Sequence, residues 1–488
     1  MKWTELFARA EVSPELLMGE GDFELLASDS RTVEPGNAFV CMPSASQDSH
    51  RFIDQAVQNG ACAALCHSRE EAEKWSARIP TAFLAADRFE AELWKLCKVA
   101  FHDPTANMKV VGITGTNGKT TTAWIMHKTL ENLGENSAYM GTLGIDSKKL
   151  KKPGNNTTPY PVELHGCLME MTRVDVQCLV MEVSSHSLAQ RRVDGFEFDL
   201  GIFTNLTQDH LDYHHTLKEY GDAKLRLFTD LPAQQRKPFL SFLNAEDPVV
   251  SDWIPRIHNK VTTYGFQAGD IRGEIRELGV GHLTMEIGGQ EFRCRLGGRF
   301  NAWNVLAAAA GLLGLGYSLS DVSEAMAGVG AVPGRFESIP NDKGIGVIVD
   351  YAHTPDAIVS VLQSVQELPH RRIITVFGCG GDRDRSKRPK MANAASQFSD
   401  VTVITSDNPR TEDPNQIFAD ILPGVIPGRE CLTIIDRKEA IAFAVHQAEP
   451  GDVVVIAGKG HEDYQIIGAE KVPLDDRELA RKALGSKP

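Results

Sequence analysis

The densest set of residues able to do chemistry is Gly112-Ile113-Thr114-Gly115-Thr116-Asn117-Gly118-Lys119-Thr120-Thr121-Thr122. Glycines in such a run let backbone N–H groups close around phosphate oxygens, and a helix starting just after them adds its partial positive charge. Lys119 can bridge the β- and γ-phosphates of a nucleotide, and the Thr120 hydroxyl can bind Mg²⁺. The spacing departs from the plain Walker pattern, because five residues rather than four separate Gly112 from Gly118. Part of the bending therefore falls to Gly115. A glycine-rich turn without a ligand is the plain alternative. Phosphate binding alone does not say what becomes of the phosphate, since kinases, motors and switches share it. Glu182 closes the apolar run Leu179-Val180-Met181. At the C-terminal end of a strand, where open α/β sheets gather ligands, a carboxylate can hold Mg²⁺ against the nucleotide. Asn205 closes another such run and is followed by Asp209-His210-Leu211-Asp212-Tyr213-His214, a polar cluster too dense for a core. A solvated loop is the alternative there.

These groups need a scaffold. From Val110 to Leu133 the pattern is apolar strand, Gly/Thr/Asn loop and helical segment. Strand-like runs recur at 179–183, 200–204, 346–349, 373–377, 401–404 and 453–457, separated by stretches long enough for helices. That alternation predicts an α/β fold with mostly parallel sheets built from crossover units. A chain of 488 residues exceeds one hydrophobic core, because cores stop growing near ~250–300 residues. The segment Phe101-His102-Asp103-Pro104-Thr105 and the Gly/Pro-rich stretch Gly330-Ala331-Val332-Pro333-Gly334 are the natural breaks. They predict three domains, residues 1–103, 104–331 and 332–488.

Composition narrows the class. With 42% hydrophobic and 24% charged residues the chain should fold throughout. A formal net charge of −14 disfavours a nucleic acid partner, which needs a basic face to neutralise phosphates. No apolar run approaches a membrane span, and no signal-peptide pattern follows Met1, so the expectation is a cytoplasmic protein without membrane insertion. Nine cysteines without a framework spacing suit free thiols in a reducing compartment. Cys62, Cys66 and His67 invite a metal reading, but they lie in an apolar stretch that reads as a buried strand, where Cys behaves as a small hydrophobe.

Taken together and in order, Thr114–Thr122, Glu182-Val183-Ser184-Ser185-His186, Thr204-Asn205-Leu206 with Asp209–His214, Gly298-Arg299-Phe300-Asn301 and Asp350-Tyr351-Ala352-His353-Thr354-Pro355 resemble the Mur ligases over nearly the whole chain. The resemblance implies an N-terminal α/β domain for a uridine nucleotide, a central P-loop ATPase and a C-terminal Rossmann-like domain that receives an amino acid. It implies Thr114, Gly115, Thr116, Asn117, Gly118, Lys119 and Thr120 on the ATP phosphates, with Asn301, Arg335, Asp350 and His353 around the same nucleotide. Glu182 and His210 are similar to the family's Mg²⁺ ligands. Lys224, in Tyr220-Gly221-Asp222-Ala223-Lys224-Leu225, looks like the lysine that family members carry as a CO₂-derived carbamate, which would add a third anionic or polar ligand beside Thr120. Residue type alone would call it a helix-surface lysine. A carbamate turns a cation into a metal-binding anion, and the neutral amine is the form that reacts with CO₂.

Within the family, Ser28 and Ser30, with the loop Ala45-Ser46-Gln47, resemble the uridine and pyrophosphate contacts of the tripeptide-forming member. A lone Ser-Asp-Ser-Arg would otherwise read as a surface turn. Asn156, Thr157 and Thr158, then Ser184, Gln190 and Arg192, look like contacts to the UDP-N-acetylmuramoyl-dipeptide; Tyr160 stands where many relatives carry an acidic residue. The sharpest short motif is Asp407-Asn408-Pro409-Arg410. An Arg fork pairs bidentately with a carboxylate, and Asn both donates to and accepts from an amino acid head group. meso-Diaminopimelate carries a second amino acid centre at its far end, whereas lysine carries a bare amine. A site built around such a pair rejects the analogue lacking it by as much as ~10⁴-fold. The motif resembles the signature of the diaminopimelate-adding enzymes. Arg383, Gly458 and Glu462 look like further contacts to that amino acid, though as bare residues they fit an exposed charged loop and a Gly turn about as well.

The implied reaction is ATP-dependent amide formation on the D-glutamate γ-carboxylate of UDP-N-acetylmuramoyl-L-alanyl-D-glutamate, through an acyl phosphate attacked by the amine. A carboxylate is a poor electrophile until activated, and Lys119 with Mg²⁺ on Thr120, Glu182 and His210 would spread the charge of the transfer. Domain closure is expected to bring the amino acid to the acyl phosphate. His210 and a carbamylated Lys224 are both candidates for the base. The expected partners are these small molecules, acted on by a monomer. The rival readings are a lysine-adding tripeptide synthetase, a folylpolyglutamate synthetase and a non-catalytic nucleotide-binding regulator on the same fold. Asp407–Arg410 argues against the first, Ser28 and Ser30 against the second, and the full set Lys119, Thr120, Glu182, His210 and Lys224 against the third.

Overall fold

The computed structural model describes residues 1–43, 48–154 and 156–485. The chain forms two compact units, residues 1–270 with 310–315, and residues 271–309 with 316–488.

The first unit holds two sheets. The N-terminal one joins β1 (Leu16–Met18), β2 (Leu25–Ala27), β3 (Asn37–Val40), β4 (Ala63–Cys66) and β5 (Thr81–Phe83) in the order β1-β5-β4-β3-β2. All neighbours are parallel except β1 with β5. Side chains alternate across a strand, and β4 shows the result: Ala63 and Leu65 pack on one face with Trp3, Phe89 and Leu96, while Ala64 and Cys66 pack on the other with Phe39, Ile53 and Trp75. Both faces are covered, so the strand is apolar throughout, as parallel strands are.

The second sheet of this unit carries the phosphate loop. Its strands are β6 (Lys109–Thr114), β7 (Ser137–Gly141), β8 (Gly144–Ser147), β9 (Lys151–Lys152), β10 (Cys178–Glu182), β11 (Leu200–Phe203), β12 (Leu240–Asn244) and β13 (Lys260–Gly265), running β13-β12-β11-β6-β10-β7-β8-β9. The six from β13 to β7 are parallel, and β8 and β9 are added antiparallel. Strand β6 lies between β10 and β11, so the turn after Thr114 comes out between the strand ends at Glu182 and Phe203. Neighbours on opposite sides of a central strand leave a crevice at the carboxyl ends, where such sheets bind ligands.

The second unit opens with the antiparallel strands β14 (Ile271–Leu278), β15 (Leu283–Ile287) and β16 (Gln290–Cys294). Its main sheet joins β17 (Glu337–Ser338), β18 (Gly346–Asp350), β19 (Ile373–Phe377), β20 (Val401–Ile404), β21 (Glu430–Thr433) and β22 (Val453–Ala457) in the order β17-β18-β22-β19-β20-β21, parallel save β17. A hairpin of β23 (Tyr464–Ile467) and β24 (Glu470–Pro473) follows. Val453, Val455 and Ala457 face one apolar cluster, Val454 and Ile456 the other. No helix among the described residues is long and apolar enough to cross a membrane.

Candidate active site

The phosphate loop spans from the end of β6 to the helix Lys119–Asn132. Gly118, the residue before that helix, has φ 86°, which a side chain would resist. A Cβ on Gly115 would collide with the Thr204 hydroxyl at the end of β11. The two glycines thus let the backbone turn tightly and lie against the neighbouring strand end. The loop is tied there by Thr116 N donating to Asn205 O at 2.8 Å, Asn117 N to Asn205 Oδ1 at 2.9 Å, and Thr204 Oγ1 to Asn117 O at 2.6 Å. Lys119 curls back, its Nζ 3.0 Å from Gly115 O and 2.9 Å from Thr116 O.

Glu182 ends β10 with its side chain buried beside this loop. Its Oε2 accepts from Thr120 Oγ1 at 2.9 Å and Thr142 Oγ1 at 3.3 Å; its Oε1 accepts from Tyr139 Oη at 2.5 Å and Thr142 N at 2.8 Å. Four donors on one buried carboxylate fix its position. Tyr139 and Thr142 escaped the sequence reading. Nothing in the buried run Ser137–Gly141 marks Tyr139 as polar in role, and only the closing of β7 against β10 reveals it. Thr120 and Glu182 offer hard oxygen donors in contact at the phosphate loop, which is the chemistry Mg²⁺ takes when it is held by one or two protein oxygens and by phosphates.

Lys224, on the helix Leu217–Leu225, is wholly buried, with Nζ 2.8 Å from Gly115 O and 4.2 Å from the centre of the Tyr220 ring. Burial, reinforced by the nearby charge of Lys119, holds its amine well below the ordinary lysine range. It is a loop-facing core lysine, not the helix-surface residue that its type suggested. Tyr220 hydrogen-bonds Thr116, and burial pushes its hydroxyl up to about 12. His210 stands at the rim, half exposed, its ring 6.0 Å from Tyr220 and 4.8 Å from His186. His214 is buried against Ser185 Oγ at 2.9 Å, and burial with the charges of His186 and Lys224 pushes it down to about 4. It is therefore neutral at physiological pH.

The residues singled out for a muramoyl-dipeptide continue this network. Thr157 Oγ1 lies 3.2 Å from Thr142 Oγ1, and Thr158 Oγ1 donates to Glu182 O at 2.9 Å. Ser184 caps the helix Ser185–Ala189 by accepting from Ser187 N at 3.1 Å. Arg192 Nη1 donates to Thr158 O at 2.8 Å, and its Nε donates to Gln190 Oε1 at 2.9 Å. Tyr160 lays its ring 3.8 Å from the Arg192 guanidinium carbon, so the residue that departs from the family pattern packs on the arginine. Asn156 is exposed. In the N-terminal sheet, Ser28 and Ser30 follow β2; Ser30 is buried and donates to Gln55 Oε1 at 2.7 Å. Ala45, Ser46 and Gln47 lie outside the described residues.

In the second unit, Asp350 ends β18, its carboxylate accepting from Phe336 N at 2.7 Å and Ala352 N at 2.8 Å, with burial raising its pKa. Arg335 lies 4.9 Å over the Tyr351 ring, and exposed His353 holds its Nδ1 2.8 Å from Tyr351 O. Asn301 is buried, donating to Gly297 O at 2.7 Å.

The Asp407–Arg410 loop follows β20. Buried Asn408 donates to Glu462 Oε2 at 3.1 Å and accepts from Lys459 Nζ at 3.1 Å; Lys459, wholly buried, also pairs with Glu462 at 3.0 Å. A Cβ on Gly458 would lie 2.8 Å from Asp407 Oδ2. Arg410 donates to Gly381 O at 2.8 Å, which ties this loop to the one carrying Arg383. Gly380 sits between them, since a Cβ there would lie 3.0 Å from Arg410 Nη1 and 3.7 Å from Arg383 Cγ. Buried Arg388 clamps both loops, donating to Gly380 O at 3.2 Å and Glu412 Oε1 at 2.8 Å. Its guanidinium holds the Glu412 carboxyl down at about 2. Asp407, Asn408, Pro409 and Arg410 thus share one neighbourhood with Gly458 and Glu462. Lys459, Arg388 and Glu412 were missed: the first looked like part of a Gly turn, and the other two pair only across a fold-dependent gap.

These features define an α/β protein of mostly parallel sheets with a nucleotide-type phosphate loop on one sheet and a polar loop cluster on another. Three regions match known families: residues 22–100 the Mur ligase family, catalytic domain; residues 113–312 the Mur ligase middle domain; residues 334–460 the Mur ligase, glutamate ligase domain. The UDP-N-acetylmuramoyl-L-alanyl-D-glutamate–2,6-diaminopimelate ligase of Geobacillus thermodenitrificans is 42% identical over 96% of both chains. Its namesake from Geobacter sulfurreducens is 41% identical over 97% of both. A solved structure of a ligase of that name aligns over 95% of both chains at 32% identity with a TM-score of 0.66. A MurF ligase from Thermotoga maritima in complex with ADP shares the fold, with a TM-score of 0.61 at 17% identity. The chain belongs to the Mur ligase family, whose members form amide bonds with ATP.

Proposed function

We infer that this enzyme joins meso-diaminopimelate to the D-glutamate γ-carboxylate of UDP-N-acetylmuramoyl-L-alanyl-D-glutamate, using ATP, in peptidoglycan precursor synthesis. The observation that carries the chemistry is the buried Glu182 carboxylate, held 2.9 Å from the Thr120 hydroxyl at the phosphate loop. The specificity is supported by the Asn408–Glu462–Lys459 cluster beside Arg410, and by the full-length relatives of that name. In this reading residues 1–103 take the uridine nucleotide through Ser28, Ser30 and Ala45–Gln47. Residues 104–331 take ATP and the dipeptide, and residues 332–488 take the amino acid.

The phosphate-loop N–H groups and Lys119 bind the β- and γ-phosphates and neutralise the charge that moves outward as the γ-phosphoryl leaves. Asn301, Arg335, Asp350 and His353 complete the nucleotide's surroundings. Thr120, Glu182, His210 and a carbamate on Lys224 would hold Mg²⁺, which would supply positive charge to the transferring phosphoryl group. The suppressed basicity of Lys224 favours the neutral amine, which is the form that adds CO₂. Asn156, Thr157, Thr158, Ser184, Gln190 and Arg192 orient the dipeptide so that its γ-carboxylate oxygen attacks the γ-phosphorus. The bond from the γ-phosphorus to the bridging oxygen breaks, giving an acyl phosphate and ADP. Arg383, Asp407, Asn408, Arg410, Gly458 and Glu462 grip the far amino acid centre of diaminopimelate and leave its other amine to attack the acyl carbon. That amine sheds a proton, with His210 or the Lys224 carbamate as acceptor. The tetrahedral adduct then expels phosphate, and the amide remains.

The test incubates the purified chain with ATP, Mg²⁺ and the UDP-dipeptide, adding either meso-diaminopimelate or L-lysine, and weighs the products. The tripeptide carrying diaminopimelate should dominate. Equal use of lysine defeats the specificity, and phosphate release that ignores both acceptor and donor defeats the ligase reading in favour of a regulator. The reading takes the enzyme as a cytoplasmic monomer, and light scattering of the purified chain checks the latter.

A further inference from the structure

Away from the chemistry just described, at the carboxyl ends of two strands of the N-terminal sheet, lies a cluster with no role in it. Strands β3 and β4 run parallel with Val40 beside Leu65. The next pair in that register is Cys41 and Cys66. Both are wholly buried, and His50, 2% exposed, reaches them from the short helical turn Ser49–Phe52. One ligand atom from each of Cys41, His50 and Cys66 lies within 4.8 Å of the others. Cys62, which the sequence pairs with Cys66, belongs elsewhere. It precedes β4 at the opposite end, with its Sγ donating to Asp22 O at 3.3 Å.

We propose that Cys41, Cys66 and His50, oriented by Asp48, form a buried site for one thiophilic divalent metal ion of the zinc class. Three features set the cluster apart from ordinary core packing. His50 Nδ1 donates to Asp48 Oδ1 at 2.6 Å, which fixes the tautomer that leaves Nε2 as the lone-pair nitrogen. A carboxylate behind an imidazole is how metal-ligating histidines are oriented. Nε2 takes a long bond from His67 N at 3.3 Å and a thiol hydrogen bond from Cys66, and a metal ion would replace both. His67 itself stacks 4.2 Å from His50, and its Nε2 is buried without a hydrogen-bond partner among the described residues. It groups with Asp48 and His50 rather than with the two sulfurs, so the protein supplies three ligands and a water takes the fourth place.

The geometry and the charge both close. Metal–sulfur bonds of about 2.3 Å in a tetrahedron space two sulfurs about 3.8 Å apart. Side-chain adjustments of about 1 Å therefore bring the set onto one ion. Two thiolates, a neutral imidazole and a dication sum to zero, so the complex can sit in apolar surroundings without an uncompensated charge. Loading breaks two S–H bonds, sends both protons to solvent and forms two sulfur–metal bonds. Thiolate and imidazole donors select zinc-like ions over Mg²⁺, so this site does not compete for the ion of the phosphate loop. Its entry side is Asp48, whose carboxylate is 64% exposed.

The experiment loads the chelator-stripped, full-length chain with Co²⁺, then displaces it with Zn²⁺. One Co²⁺ per chain should bind with a near-ultraviolet sulfur-to-cobalt charge-transfer band, and one equivalent of Zn²⁺ should erase that band. Cys66→Ser should remove the band. Asp48→Asn, a surface change that leaves the core intact, should keep it but weaken metal affinity about 10–100-fold, as loss of an orienting carboxylate does. Absence of stoichiometric binding overturns the proposal. So does cobalt bound without the sulfur band, which would place it at an oxygen and nitrogen set such as His127, Glu131 and Asp146. Unchanged affinity in Asp48→Asn removes the orienting role on which the site is argued.

Discussion

The phosphate loop of the first unit and the Asp407–Arg410 loop cluster of the second solve the same problem, holding charged groups ready, by opposite means. At the first, Glu182 is gripped by four neutral donors and Lys224 is sealed against a backbone carbonyl, so neutral partners and burial hold each group in place. At the second, Arg388 pairs with Glu412 and Asp420, and Lys459 pairs with Glu462, so ionic partners hold them. A desolvated amine is pushed toward its neutral, reactive form. A paired carboxylate is kept charged and stationary. In the proposed function, reaction calls for the first condition, and reading the shape of an incoming zwitterion calls for the second.

The largest effect should come from breaking the first site. Lys119→Ala is expected to cut amide formation roughly 10³-fold, the scale seen when a preorganised charge-stabilising donor is lost. ATP-dependent phosphate release should fall with it, whichever amino acid is supplied. A variant within tenfold of wild type would mean the phosphates are held elsewhere. Next in size, Lys224→Ala should lower kcat about 10²-fold and regain part of it when short carboxylic acids are added to fill the space of the lost side chain. Carbon-13 bicarbonate should meanwhile give wild type, and not the variant, a carbamate resonance. Full activity in Lys224→Arg together with indifference to bicarbonate removes that lysine from the chemistry.

Much of the first site could be read from local sequence, because its parts are local. The run Gly112–Thr122 carries its own geometry, since Gly118 needs its positive φ and Lys119 begins the helix. The strands Ile373–Phe377, Val401–Ile404 and Val453–Ala457 have the bounds their largely apolar runs predict, because strands covered on both faces carry few polar residues, here only Thr375 and Thr402. What stayed hidden depends on distant closure. Tyr139 reaches Glu182 across 43 positions, and Lys459 reaches Asn408 across 51. Lys224 looks like a surface lysine until its helix is laid against the phosphate loop, where Gly115 O receives its amine. The Cys41–Cys66 neighbourhood likewise follows from the register of β3 and β4, which no spacing in the chain announces.

Arg410→Ala sharpens the contrast from the other side. Losing one charged hydrogen-bonded contact should raise the KM for meso-diaminopimelate about 10–100-fold. ATP affinity should be unchanged and kcat nearly so, measured with the amino acid varied at saturating ATP and UDP-dipeptide. Discrimination against L-lysine should shrink by a similar factor, because lysine never used the contact. A fall in kcat at constant KM would instead put Arg410 in the transition state, and the division between a reacting site and a reading site would fail.

The smallest effect tests whether pairing really governs the second region. Glu412 titrates at about 2 in the folded chain against an ordinary 4.5, chiefly through its hydrogen bonds to Arg388. A carboxylate lowered in this way contributes stability that is fully present above the ordinary value and is lost as pH falls toward the folded one. Glu412→Gln should therefore lower the melting temperature of the second unit by roughly 2–4 °C at neutral pH. Asp420 remains on Arg388 at 2.7 Å, so the guanidinium is not left bare and the loss stays modest. The gap between variant and wild type should hold constant down to about pH 4.5 and close as pH approaches 2, followed by calorimetry across that range. A gap that persists unchanged at the acid end would assign the effect to packing or hydrogen-bond geometry rather than to charge, and would make the two regions more alike than their partners suggest.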